Sequence, residues 1–238
     1  MSAEFRRTLL DLATQPYRAA GRFAWHFARG KLGGDPAFFG MLQRGLIPDN
    51  ARILDLGCGQ GLLAAFLLAA DALRGNCNWP DDWAPAPRPK HLRGIELMPR
   101  DIERARSALH DRADFIQGNI CNTDFGCANV DAVVILDVLH YVDHAAQENI
   151  LRRVRTALSD RGVLLLRVGD AAAGLPFRIS NWVDHVVTWV RGHRLGTLYC
   201  RPVTQWTALL EGLGFDVQEL PMSQGTPFAN VLLVARRR

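Results

Sequence analysis

Ile53-Leu54-Asp55-Leu56-Gly57-Cys58-Gly59-Gln60-Gly61 decides the fold. A short apolar run leads into three glycines at alternate positions, and the apolar stretch Leu62 to Ala70 follows. A strand buried on both faces reads as such a near-continuous run. Glycines at its end permit a tight turn and let a ligand approach the backbone. The stretch behind them falls short of the ~20 apolar residues of a membrane span. It predicts a helix over Leu62–Leu73.

A G-x-G alone belongs to many nucleotide enzymes. Here its surroundings discriminate. A dinucleotide fingerprint wants a third glycine at position 62, which is Leu. A pyrophosphate suits a bare helix N-terminus, yet Asp55 stands two residues before Gly57. That carboxylate suits a cationic group, such as an ammonium, and repels phosphate. No Gly-Lys-Ser/Thr follows, so a P-loop is excluded.

Outward from this turn, strand and helix alternate. The pattern predicts strands at 92–97, 114–117, 131–137 and 162–168, with helices over 99–110 and 145–158 between them. This rhythm predicts an α/β fold with an open, doubly wound, mostly parallel sheet. A helix over 203–213 and two strands, 215–220 and 230–235, complete it. Residues 1–50 read as helices, broken at Gly33-Gly34-Asp35-Pro36, where Asp35 fits an N-cap and Pro36 the first helical position. The proline-rich stretch 74–90 reads as a loop, in which Trp79 and Trp83 fit either packing or a functional surface. Residues 171–200 read as an apolar helical insertion.

The chain has 238 residues, 48% hydrophobic and 22% charged, with net charge +4. That composition excludes disorder, a fibre and a disulfide-stapled miniprotein. The predicted organisation is one domain: an N-terminal cap (1–50), a core (51–170), an insertion (171–200) and a closing segment (201–238). Lys31 and Lys90 are the only lysines. The arginine-for-lysine usage reads as a GC-rich bacterial genome, so no nucleic-acid partner is expected. Five cysteines without a CxxC pair predict reduced thiols, no metal site and, with no secretory signal in the sequence, a cytoplasmic protein. The oligomeric state is not legible.

ILDLGCGQG resembles the first motif of the class I S-adenosylmethionine-dependent methyltransferases, and the resemblance spans roughly 51–170 and the last two strands. It implies a Rossmann-like seven-stranded sheet and S-adenosyl-L-methionine as cofactor. It further implies that Asp55, Gly57, Cys58, Gly59 and Gly61 cradle the cofactor. Glu96, in Gly94-Ile95-Glu96-Leu97, would accept the ribose hydroxyls, with Leu97 and Met98 against the adenine. Phe115-Ile116-Gln117-Gly118-Asn119-Ile120 resembles the third-strand motif with Asn119 in place of the usual Asp. Its amide oxygen can still accept from the adenine amino group, and Ile120 would offer its N–H to the ring.

Leu136-Asp137-Val138-Leu139-His140-Tyr141-Val142 is similar to a segment of small-molecule members. There Asp137 would face the methionine end of the cofactor or the entering substrate, and His140, with Tyr141, is the catalytic candidate. His140 fits a general base or a packing residue. Tyr17, Trp25, His26, Phe177 and Trp182 are the acceptor-site candidates, as lid residues or as cover for the sheet.

An Asn-Pro-Pro-Tyr/Phe segment is absent after the fourth strand. That favours O- or C-methylation of a small molecule over DNA methylation, and the aromatic-rich segments 1–45 and 171–200 suggest an apolar or aromatic acceptor, in secondary metabolism. A similarity to polyketide and aryl-polyene pathway members adds a carrier-protein-tethered acceptor, met by Arg6, Arg7, Arg18, Arg22 and Arg29. The rival readings are a nicotinamide oxidoreductase and a non-catalytic or membrane-surface protein.

Overall fold

The computed structural model describes residues 2–75, 79–170, 198–222 and 230–238. The sheet grows around β1 (Ala51–Leu56), whose Ile53, Leu54 and Leu56 are all buried. Parallel partners flank β1: β2 (Pro89–Glu96) on one side and β4 (Val130–Leu136) on the other. β3 (Asp114–Gln117) and β5 (Leu158–Gly169) extend it in parallel, and β7 (Asn230–Arg237) and β6 (Phe215–Pro221) close it antiparallel. The seven-stranded order is β3-β2-β1-β4-β5-β7-β6. Strand order reverses between β1 and β4, and the crevice at their carboxyl ends is where ligands bind in open α/β sheets.

Apolar residues alternate into two cores. Ile53, Leu92, Val134 and Leu165 pack on one face, under α4 (Leu62–Ala72) and α5 (Pro99–Leu109). Leu54, Ile95, Val133 and Leu166 pack on the other, under α6 (His144–Ala157) and α7 (Val203–Gly212). The N-terminal cap is helical, as its pattern predicts. α1 (Ala3–Thr14) buries Phe5, Leu9 and Ala13, one per turn, and α2 (Arg22–Gly34) buries Ala24, Ala28 and Leu32. α3 (Pro36–Gln43) starts where the sequence marks it: the Asp35 carboxylate accepts from the Ala37 N–H at 3.0 Å.

Two boundaries differ most from the sequence pattern. β2 begins at Pro89, before the proline-rich stretch has ended, because Pro89 takes the first strand position, where a missing N–H costs least. β5 begins at Leu158, which pairs with Val130 ahead of a register shift. Trp79 and Trp83 pack. Both meet Phe5 edge-on, with centroids 5.4 and 5.7 Å away, and so tie the loop to α1. The predicted helical insertion lies outside the described residues over 171–197. Among the described residues no helix is long and apolar enough to cross a membrane.

Candidate active site

The glycine turn sits at the carboxyl end of β1. Gly57 has φ +79°, and a Cβ there would lie 2.3 Å from a Val138 methyl, so the ends of β1 and β4 meet only over glycine. Gly59 also has positive φ, +54°, but nothing lies within 4 Å of where its Cβ would be. Open space therefore stands over the middle of the turn. Gly61 leads into α4 against Phe115. Cys58 is buried, and burial, then Asp55 and Glu96, push its thiol well up. A neutral thiol there lines the site and is no nucleophile.

Glu96 closes the turn against β2. Its two oxygens accept from the Gly59 N–H at 3.0 Å and the Met98 N–H at 2.9 Å. Each oxygen keeps a further lone pair for another donor. Leu97 beside it is 57% exposed, costly for a large apolar side chain unless something covers it. Asp55 is half-buried and has no hydrogen bond or ion pair among the described residues. Burial, and then the nearby Glu96 charge, push its carboxyl up to about 7.

The loop after β3 is held from below. The Arg153 guanidinium donates to the Ile120 carbonyl at 2.8 Å and the Cys121 carbonyl at 3.0 Å, and it lies 4.2 Å from the Phe125 ring centre. The Asn119 amide oxygen accepts from the Cys121 N–H at 3.0 Å, so one of its lone pairs is already used. Asn119 itself is exposed.

At the end of β4 Asp137 already has a protein partner. Its carboxylate is bound by Arg167, through Nε at 2.8 Å and through Nη2. Arg167, at the end of β5 and 2% exposed, also grips Asp35 through both terminal nitrogens. Lys31 completes the group, 2.8 Å from Asp35 and 3.7 Å from Asp137. Two acids and two bases balance. Burial raises Asp35 and Asp137, but the Arg167 and Lys31 charges outweigh it and hold both low.

His140 and Tyr141 sit on the short turn Leu139–Tyr141. The buried Gln147 amide lies within 3.1 Å of the Leu139, Val142 and Tyr199 carbonyls, and Tyr199 N–H donates to the His140 carbonyl at 2.9 Å. Burial pushes the His140 imidazole below its ordinary value, with Asp137 opposing. Tyr141 is 42% exposed, its ring 4.1 Å from that of His140.

The three described acceptor-site candidates have different neighbours. Tyr17 is fully buried, and its hydroxyl donates to the Gln60 carbonyl at 2.8 Å, so it braces the glycine turn. Trp25 packs under Arg18 and Arg29, with His26 at its edge. Phe177 and Trp182 lie outside the described residues.

A family model described as a methyltransferase domain matches residues 24–220. The chain belongs to this methyltransferase family. Solved structures share the fold. An O-methyltransferase family protein from Burkholderia thailandensis is 18% identical with TM-score 0.63, over 92% of this chain and 61% of that one. Magnesium protoporphyrin IX methyltransferase from Synechocystis PCC 6803, solved with bound SAH, is 18% identical with TM-score 0.57, over 99% of both chains. A TehB-like SAM-dependent methyltransferase from Corynebacterium glutamicum is 16% identical with TM-score 0.57, over 92% of this chain and 98% of that one. The methyltransferase spans about three fifths of the Burkholderia protein's length. No curated protein matches.

The residues present fit S-adenosylmethionine, the cofactor that the sequence resemblance implies. Asp55 is an unpaired carboxylate where a cationic group needs one, Gly59 leaves its face open, and Glu96 has acceptor capacity to spare. Sequence reading misses Arg167, Lys31, Gln147 and Arg153. Arg167 carries a signal: a lone charge inside Val163-Leu164-Leu165-Leu166-Arg167-Val168 must find a buried partner. Gln147 and Arg153 carry none, since each is an ordinary polar residue on an amphipathic helix.

Proposed function

We propose that this methyltransferase methylates oxygen or carbon on a small apolar or aromatic acceptor, as a cytoplasmic enzyme of secondary metabolism. The unpaired Asp55 beside the Glu96-braced glycine turn carries the reading. S-adenosylmethionine supplies a sulfonium-activated methyl group that an in-line nucleophile accepts. Asp55 pairs with the ammonium of the methionine end. Glu96 receives the ribose hydroxyls on the lone pairs that Gly59 and Met98 leave. Leu97 and Met98 cover the adenine, and Asn119 and the Ile120 N–H meet its polar edge.

His140 is neutral at physiological pH, because burial favours the uncharged imidazole. It takes the proton from an acceptor hydroxyl, and Tyr141 flanks it at the rim. Asp137, bound to Arg167, shapes the wall of the crevice. Proximity and alignment supply most of the rate, roughly 7–11 kcal/mol in well-oriented systems.

Three arginines offered for an acidic carrier are committed elsewhere. Arg6 donates to the Gly33 carbonyl, Arg18 covers Trp25 and Arg29 pairs with Asp11. This favours a free acceptor over a tethered one. Incubation with methyl-labelled S-adenosylmethionine and a panel of a phenol, an enolic diketone and a primary amine tests the reading. Label in the phenol or diketone is expected, and label only in the amine overturns it.

A further inference from the structure

α2 carries a second aromatic face besides Trp25 and His26. Phe23, Phe27 and Lys31 recur every four residues and so share one face of the helix. The Phe23 and Phe27 rings stack, 6.1 Å between centroids and 14° from parallel. Phe23 is 55% exposed. Trp25 points to the far side.

Both ends of the stripe are fixed. Arg104 of α5, the helix that follows β2, lies 4.6 Å from the Phe23 ring centre. Lys31 reaches Asp137 beyond the end of β4. Eight helical residues span about 12 Å. The stripe therefore runs from α5 to the crevice end of β4, with Phe27 at its midpoint. A stacked aromatic face that ends at a charge-balanced group beside the crevice has no unsatisfied charge to offer an anion or a cation.

The geometry points to Phe27, supported by Phe23, as the residue that selects the acceptor, by stacking on a flat, uncharged ring system. This rests on the methyltransferase reading of the crevice. Its stripe is set by the helix period and by two contacts at its ends, not by the cofactor residues.

Calorimetry tests it with three probes on protein saturated with S-adenosylhomocysteine: 2-naphthol, its saturated analogue decahydro-2-naphthol, and 2-naphthoate. 2-Naphthol is expected to bind most tightly. Phe27→Leu should weaken it about 3- to 10-fold, the range for loss of an aromatic pair. Phe27→Tyr should stay within about twofold of the parent, and Leu12→Ala, an exposed apolar control on α1, should change nothing. S-adenosylhomocysteine titration of each variant reports folding. Equal 2-naphthol affinity in Phe27→Leu overturns the inference while the methyltransferase reading stands. So does tighter binding of the saturated alcohol or of 2-naphthoate, or no 2-naphthol binding to the loaded parent. Failure of the parent to bind S-adenosylhomocysteine removes the reading itself, and this inference with it.

Discussion

Arg167 and Asp35 stand 132 residues apart and meet in a buried bidentate ion pair. Asp35 also caps α3, and Arg167 also holds Asp137. One guanidinium thus joins the N-terminal cap to the ends of β4 and β5, beside the crevice. Removing it leaves the buried Asp35 and the half-buried Asp137 facing only Lys31. Arg167→Met should cost about 3–5 kcal/mol in urea unfolding, the range for breaking one side of a buried pair. A loss under about 1 kcal/mol would show the pair to be dispensable.

The same group sets a pH signature. Asp35 and Asp137 titrate below the ordinary carboxylate range in the folded protein. Their contribution is present above the unfolded value, about 4, and is lost as pH falls through the lowered values. In Arg167→Met the unpaired acids move upward instead, so stability should rise as pH falls from 7 to 5. Parallel pH profiles for the parent and the variant would contradict this.

Much of the scaffold is legible in the residues because its causes are local. The run 53–57 is apolar and ends in glycine, Asp-Pro starts α3, and Asp114–Gln117 forms β3 at the predicted bounds. The glycine turn is legible for the same reason, whereas Glu96 is legible only through the resemblance of its motif at the end of the second strand. Which face of α2 looks at the crevice is not legible. That depends on Asp137 and Arg104, which arrive from distant segments. The aromatic residues Trp25 and His26 stand out by type alone, whereas Phe23 and Phe27 matter by position. The Arg167 partner of Asp137 is not legible either, because it lies on a different strand.

Asp55 gives the opposite slope. Its folded value, about 7, lies above the unfolded one. Its contribution to stability without cofactor is complete below about pH 4 and is lost as pH rises through 7. Asp55→Asn should therefore stabilise the cofactor-free protein at pH 8 by a few kcal/mol at most, since each tenfold change in proton affinity is worth about 1.4 kcal/mol. The gain should vanish near pH 4. Thermal melts at both pH values decide it, and a uniform change at both would refute the assignment.

The two central glycines should separate stability from binding. Gly57→Ala drives a methyl into Val138 and should destabilise by about 1–3 kcal/mol, as overpacking does. Val138→Ala should restore part of that. Gly59→Ala meets nothing in the fold and bears only a left-handed strain of about 1–2 kcal/mol. It should nevertheless weaken S-adenosylmethionine at least about tenfold, because it fills the open face; about 1.4 kcal/mol suffices for that factor. Calorimetry beside urea melts distinguishes the two behaviours.

If His140 accepts the acceptor proton, His140→Gln should lower turnover on a phenol by about 10²- to 10⁴-fold and leave cofactor affinity unchanged. In the parent, the acid limb of the rate profile should fall below pH 6.5, because burial depresses the imidazole. An unchanged rate in the variant would return His140 to a packing role.

The central claim is that Asp55, the glycine turn and Glu96 together hold S-adenosylmethionine. Titration calorimetry of S-adenosylmethionine and NAD into the parent and Glu96→Ala at pH 8 tests it most directly. The account predicts one S-adenosylmethionine per chain in the parent, at least about 100-fold weaker binding in Glu96→Ala from loss of the charged acceptor, and no heat from NAD. Undiminished affinity in Glu96→Ala, or binding of NAD in place of S-adenosylmethionine, would contradict it.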